Sequence, residues 1–211
     1  MILCILAAML SGCGKSDRES YASAEEAKQA MNQCRTFVVE GDLEAVNQEG
    51  DILADGKIAG RLKETGILNT KWTVSVDGKT WFWMKFVTDE PINNIDGMIS
   101  GTTYGYYDEN NRCLGYAQKR LFENENLERE YYLVFMDADG NPKDYLAEEH
   151  GEELYDYEGN QIGSGKADFK GYIGEKCYFE IDIEPGVSVD TVDKMAMYLQ
   201  LFSKFNETAG D

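Results

Sequence analysis

The sequence predicts a mainly β protein, an α+β fold in which a closed or nearly closed antiparallel β-barrel of hairpins surrounds a C-terminal hydrophobic helix. A short N-terminal helix precedes the barrel. Three observations predict this. The chain carries 13 Tyr, 9 Phe and 3 Trp in 211 residues, and aromatic side chains favour strands. From about 50 to 184, aromatic and β-branched runs alternate with acidic Asn/Gly turn signals, the pattern of successive hairpins. The chain then ends in a run that is apolar on nearly all sides at helical spacing, and such a helix must be surrounded.

The elements follow in chain order. Ser23-Ala24-Glu25-Glu26 matches a capping box, with Ser23 as N-cap and Glu26 three residues on. Ala27, Met31, Cys34 and Val38 recur at helical spacing, and Gly41 can stop the run. This predicts a helix from 24 to about 36. Asp77-Gly78 separates Lys71–Val76 from Thr80–Val87, the strongest short-range hairpin signal. Within the second run, Trp81, Trp83 and Lys85 share one face and Phe82, Met84 and Phe86 the other; either set can be core. A degenerate repeat follows. Tyr107-Asp108-Glu109-Asn110-Asn111-Arg112-Cys113-Leu114-Gly115 aligns with Tyr155-Asp156-Tyr157-Glu158-Gly159-Asn160-Gln161-Ile162-Gly163. Met136–Asn141 and Ala54–Gly60 echo it. Repeated hairpins without an obvious edge suggest closure. Pro185-Gly186 ends the last strand, Glu175–Glu184, and Asp190 can cap the final helix with Asp193 at N3. Val192, Met195, Ala196, Met197, Tyr198, Leu199, Leu201, Phe202 and Phe205 give that helix its wide apolar surface. It is too short and too polar for a membrane span.

Residues 1–12 read differently. Met1–Leu10 is uncharged and almost wholly apolar, and small residues close it, as in an export signal. Leu10-Ser11-Gly12-Cys13 resembles the lipobox of bacterial lipoproteins. That resemblance implies cleavage before Cys13, a diacylglycerol thioether on Cys13, and attachment to the extracytoplasmic face of the cell membrane. No Lys or Arg precedes the apolar run, so the natural start is expected to lie upstream. Gly14-Lys15-Ser16 mimics the end of a phosphate loop, but Met9 stands where that motif needs Gly. Residues 13–22 are expected to be a tether, and 23–211 a single β-rich domain.

The net charge is −19. A chain this acidic repels nucleic acid and anionic headgroups, so attachment to a membrane would rest on the N-terminal lipid. Carboxylates spread over solvated faces are the favoured reading of the charge. Cys34, Cys113 and Cys177 remain after the leader and Cys13; one disulfide or three free thiols both fit.

Tyr107–Gly115 and Tyr155–Gly163, the following Tyr116–Phe122 strand, and Tyr178–Val187 leading into a hydrophobic helix resemble the LURP-one-related branch of the tubby C-terminal-like superfamily. The resemblance covers about 100–205. It implies a barrel closed around a central helix and no settled activity. The basic phosphoinositide-binding residues of tubby domains have no counterpart here, and residues 20–100 supply either first strands or an added subdomain.

Residues that could carry chemistry are few. His150, the only histidine, sits in an acidic turn. Asp137, Asp139, Asn141 and Glu148 occupy positions 1, 3, 5 and 12 of an EF-hand-like loop, and Asp137-Ala138-Asp139 resembles the start of the scramblase calcium stretch. Pro142 stands where that loop needs Gly, which favours a hairpin turn whose Asp and Asn cap backbone amides. Paired carboxylates with Trp72, Trp81 and Trp83 could bind or cleave a glycan. The expected function is a non-enzymatic binding or structural role at the cell envelope, toward an envelope protein, lipid or glycan. No cofactor is expected beyond the lipid, with calcium the weaker alternative.

Overall fold

A computed structural model describes residues 18–42, 49–66, 70–87, 92, 97–123, 129–168 and 177–208. Residues 1–17, with the expected lipidation site Cys13, lie outside the described residues.

Twelve described strands form one closed antiparallel barrel. They are β1 (Thr36–Asp42), β2 (Glu49–Ala54), β3 (Lys57–Thr65), β4 (Lys71–Val76), β5 (Lys79–Phe86) and β6 (Met98–Asp108). Then come β7 (Cys113–Glu123), β8 (Arg129–Asp137), β9 (Pro142–Glu148), β10 (Glu153–Asp156), β11 (Gln161–Asp168) and β12 (Cys177–Ile183). Each strand pairs with its neighbours in the chain, and β1 closes the ring on β12 from Thr36 opposite Asp182 to Gly41 opposite Cys177. Residues 36–86 thus supply the first five strands rather than a separate subdomain.

The helix α1 (Ala24–Gln33) starts as its sequence dictates: the Ser23 hydroxyl accepts from the Glu26 amide at 3.2 Å. It ends earlier than the expected 36. Cys34 is already extended, and the Thr36 amide donates to Asp55 Oδ1 at 2.9 Å as β1 begins. Barrel closure therefore competes with helical spacing and wins. Gly41 stops no helix. It lies in β1 where a Cβ would stand 2.4 Å from the Glu49 carbonyl oxygen, so only glycine permits that close pairing with β2.

Glu19 and Ser20, which the sequence places in an expected tether, pair with β3. The Ile58 amide donates to the Glu19 carbonyl at 2.9 Å, and Ser20 bridges Ile58 in parallel. Lys57–Glu19 and Arg18–Glu40 ion pairs fix this entry.

Strand alternation sets the lumen. Cys177, Phe179, Ile181 and Ile183 of β12 and Trp72, Val74 and Val76 of β4 point inward and are buried. On β5 the core set is Phe82 and Met84, while Trp81 and Trp83 face outward. The hairpins at Asp55-Gly56 and Asp77-Gly78 have positive φ at both residues, 46° and 83°, 50° and 70°, as two-residue primed turns require. The repeat also folds as one device. Asp108, Asp137 and Asp156 each accept through Oδ1 from the amides two and four residues on, at 2.8–3.0 Å. Asn141 and Asn160 add a side-chain bond to Asp137 and Asp156. These five Asp-led turns all lie at one end of the barrel.

The helix α2 (Thr191–Thr208) enters at that same end and occupies the lumen. Met195, Ala196, Met197 and Tyr198 are wholly buried, with Leu199 and Leu201 nearly so. Burial on consecutive residues means that every side of the helix meets the barrel wall. Tyr198 lies edge-on to Phe179 at 5.1 Å, and the Gln200 amide donates to the Tyr104 hydroxyl at 2.9 Å.

Candidate functional site

The calcium candidates are not brought together. Asp137, Asp139 and Asn141 form the β8–β9 turn, whereas Glu148 closes the far end of β9, about 20 Å away at roughly 3.3 Å per strand residue. The Asp137 carboxylate is occupied by Asn141 and by turn amides, and these bonds, the Asn141 side chain first, hold its pKa below the ordinary range. Glu148 Oε1 instead accepts from the His150 and Glu152 amides at 3.3 Å. Among the described residues no group of three or more His, Cys, Asp or Glu is placed to hold a metal ion. His150 lies in that same β9–β10 turn, 3.9 Å from Glu149.

The three Trp do not share a face either. Trp72 is core. Trp81 packs outward near Lys28, and Trp83 lies stacked on Tyr107 at 4.5 Å beneath Lys71 Nζ at 4.0 Å. Cys34, Cys113 and Cys177 are all free.

Two constellations are present instead. The first anchors the α2 N-terminus inside the barrel mouth. Lys143 Nζ donates to Asp190 Oδ2 and Asp193 Oδ2, both at 2.6 Å. The Tyr145 hydroxyl donates to Asp193 Oδ2 at 2.7 Å and accepts from the Asp190 amide at 3.2 Å. Tyr145 therefore takes the part that a reciprocal Asp193 side chain would play in the expected cap. Burial raises the Asp193 pKa to about 6, against the pull of Lys143 and Tyr145. Its Oδ1 is buried without a hydrogen bond, as is the nearby Tyr106 hydroxyl.

The sign of the pH effect follows. Asp193 is more easily protonated folded than unfolded, so its contribution to stability is most favourable below the ordinary Asp range. That contribution is lost as pH rises to about 6. Replacing Tyr145 by Phe removes one donor and one acceptor from this buried cluster. The loss expected is about 1–3 kcal/mol, checked by urea unfolding at pH 7; an unchanged midpoint would contradict the assignment.

The second constellation is a groove of about 470 Å³ on the outer wall, lined by Phe122, Tyr132, Leu146, Tyr155, Asp156, Tyr157 and Gly159. Alternation on β7 to β10 turns these apolar and aromatic side chains away from the lumen. Phe122 and Tyr132 ring centroids are 6.0 Å apart, and Tyr157 is 54% exposed. A second hollow of about 380 Å³ shares Tyr132 and Tyr155 and contains Glu130, Glu148, Glu149 and Glu153 with Arg129. The Tyr132 and Tyr155 hydroxyls donate to Glu130 and Glu153. The bond to Glu130, more than burial, pushes the Tyr132 phenol up to about 12. The arrangement offers flat aromatic faces leading into a carboxylate-rich end, suited to binding an extended ligand.

Sequence reasoning missed this groove because its residues come from four strands whose outward positions only the barrel aligns. A local signal existed: Glu130-x-Tyr132 and Glu153-x-Tyr155 each place an acid and a phenol on one strand face. Comparison with protein-family models, with curated proteins and with solved structures returned no match.

Proposed function

We propose that this protein is a lipid-anchored, extracytoplasmic binding module that works without catalysis at the cell envelope. The observation that supports the binding role best is spatial. The barrel lumen holds α2, while the outer wall carries an open aromatic groove with an acidic end. The lipobox-like Leu10-Ser11-Gly12-Cys13 supports the anchor. A barrel ring around one buried helix supports the likeness to LURP-one-related proteins within the tubby C-terminal-like superfamily.

The anchor would also orient the domain. Cys13 stands seven residues before Ser20, a reach of about 25 Å at most. Ser20 sits at the end of the barrel with the short turns, so that end would face the membrane. Its Asp55, Asp77, Asp108, Asp137 and Asp156 would be repelled by anionic headgroups, holding the domain off the surface and leaving the groove accessible. Replacing Cys13 by Ala is expected to move the protein from the membrane fraction to the soluble extracytoplasmic fraction and to abolish labelling by radioactive palmitate. Retention of either property in the variant would overturn the anchor.

The groove also supports a second reading, glycan binding, since sugar rings stack on tyrosine faces and carboxylates accept their hydroxyl protons.

A further inference from the structure

The groove has a direction. Its apolar end, at Tyr157 and Gly159, lies beside the short turns, and its acidic end lies beyond Tyr132 and Tyr155 toward Glu130, Glu148, Glu149 and Glu153. The two hollows meet at Tyr132 and Tyr155, so a single occupant can lie across both. The intervening strand β9 has seven residues. At about 3.3 Å per residue it spans roughly 20 Å, the length of an extended peptide of about six residues.

Charge decides what kind of ligand fits. The acidic hollow holds four glutamates. The nearby cations are engaged: Arg129 reaches Glu123 at 3.6 Å, and Lys119 pairs with Glu149. The phenol rings of Tyr132 and Tyr155 present negative π-faces, which attract ammonium and guanidinium groups. Their hydroxyls are held by carboxylates on the same strand faces, so the rings are set in place before a ligand arrives. An anionic ligand would meet the carboxylates of Glu130, Glu148 and Glu153. A neutral sugar would leave much of that charge uncompensated. A peptide with an apolar half and a basic half satisfies both ends of the groove.

We propose that this groove binds an extended basic peptide segment of a partner protein, its apolar side chains on Leu146 and Tyr157 and its Lys or Arg side chains among Glu130, Glu148 and Glu153. Lysine and arginine stems would lie along Tyr132 and Tyr155. This deepens the binding-module reading and rests on it, but it does not depend on the lipid anchor.

The test uses the full-length protein in detergent and fluorescence anisotropy of a dye-labelled hexapeptide, Leu-Trp-Val-Lys-Arg-Lys. Comparison ligands are the peptide with Glu for each basic residue and a chitin hexasaccharide. The basic peptide is expected to bind saturably and to weaken as salt screens the glutamates. Tyr157→Ser, at an exposed position, is expected to weaken it about fivefold. The double variant Glu130→Gln with Glu153→Gln is expected to weaken it at least about tenfold. Circular dichroism checks that both variants are folded. Absence of saturable binding overturns the proposal, as does equal binding of the acidic peptide or indifference to both variants. Binding of the hexasaccharide alone, lost in the same variants, would assign the groove to glycans instead. Membrane release of Cys13→Ala is read separately, so failure of the peptide and failure of the anchor remain distinguishable.

Discussion

Ending the chain at Val189 is expected to abolish cooperative unfolding. The truncated protein would lose α2, whose Met195, Met197, Tyr198, Leu199 and Leu201 are buried against the barrel wall. Five such side chains contribute about 1.5–3 kcal/mol each, comparable with the roughly 5–15 kcal/mol that stabilises a whole domain. The loss is worse than that comparison suggests, because Phe37, Phe82, Tyr104, Tyr106 and Phe135 would then face a lumen wide enough for a helix. The barrel would collapse or flood. Urea titration followed by near-ultraviolet circular dichroism should show no sigmoidal transition, and a hydrophobic dye should bind at zero denaturant. A cooperative transition with a native aromatic spectrum would show that the strands close without their helix.

Replacing Lys194 by Ala is expected to cost at least about 3 kcal/mol. Lys194 lies on α2, wholly buried, and its Nζ donates to the carbonyls of Met31 at 2.8 Å and Asn32 at 3.1 Å. A longer bond reaches the Cys34 carbonyl at 3.4 Å. These are the unsatisfied carbonyls at the end of α1, whose last turn has no basic residue of its own. Positive charge there is favourable, and here it arrives from the other helix. Alanine would take this donor from the Asn32 and Cys34 carbonyls, leave the Met31 carbonyl with only the Cys34 thiol at 3.4 Å, and open a cavity beside Phe37, whose ring centre is 5.8 Å from Nζ.

Lys194→Met keeps the stem and should cost less. Burial lowers the Lys194 pKa. The unfolded chain therefore holds this proton more tightly, and stability gained from its release rises with pH toward the ordinary lysine value. The difference in stability between the wild type and Lys194→Met should accordingly grow as pH rises through that window. A difference that stays flat would place the ammonium in water rather than against α1.

Where structure follows from neighbours in the chain, the sequence was legible. Ser23 caps α1, Asp55-Gly56 and Asp77-Gly78 turn their hairpins, and the Asp108, Asp137 and Asp156 turns share one bonding pattern, because each uses side chains within four residues of the amides they satisfy. The apolar circumference of 190–205 likewise required a surrounding wall. What failed depended on partners far along the chain. The end of α1 and the place of Gly41 are set by pairing across the closed ring, with β12 and β2; the inward face of β5, which the sequence left open, is settled by ring closure.

The same distinction separates the site from the segment that leads to it. Leu10-Ser11-Gly12-Cys13, the turn chemistry and the −19 charge are properties of the chain itself. The groove is not: Phe122, Tyr132, Leu146 and Tyr155 become one surface only when β7 to β10 lie side by side. Local hydrogen bonding and apolar periodicity therefore determined a hairpin barrel and its buried helix, whereas strand register alone decided which outward side chains meet, since a shift of one residue turns each to the opposite face.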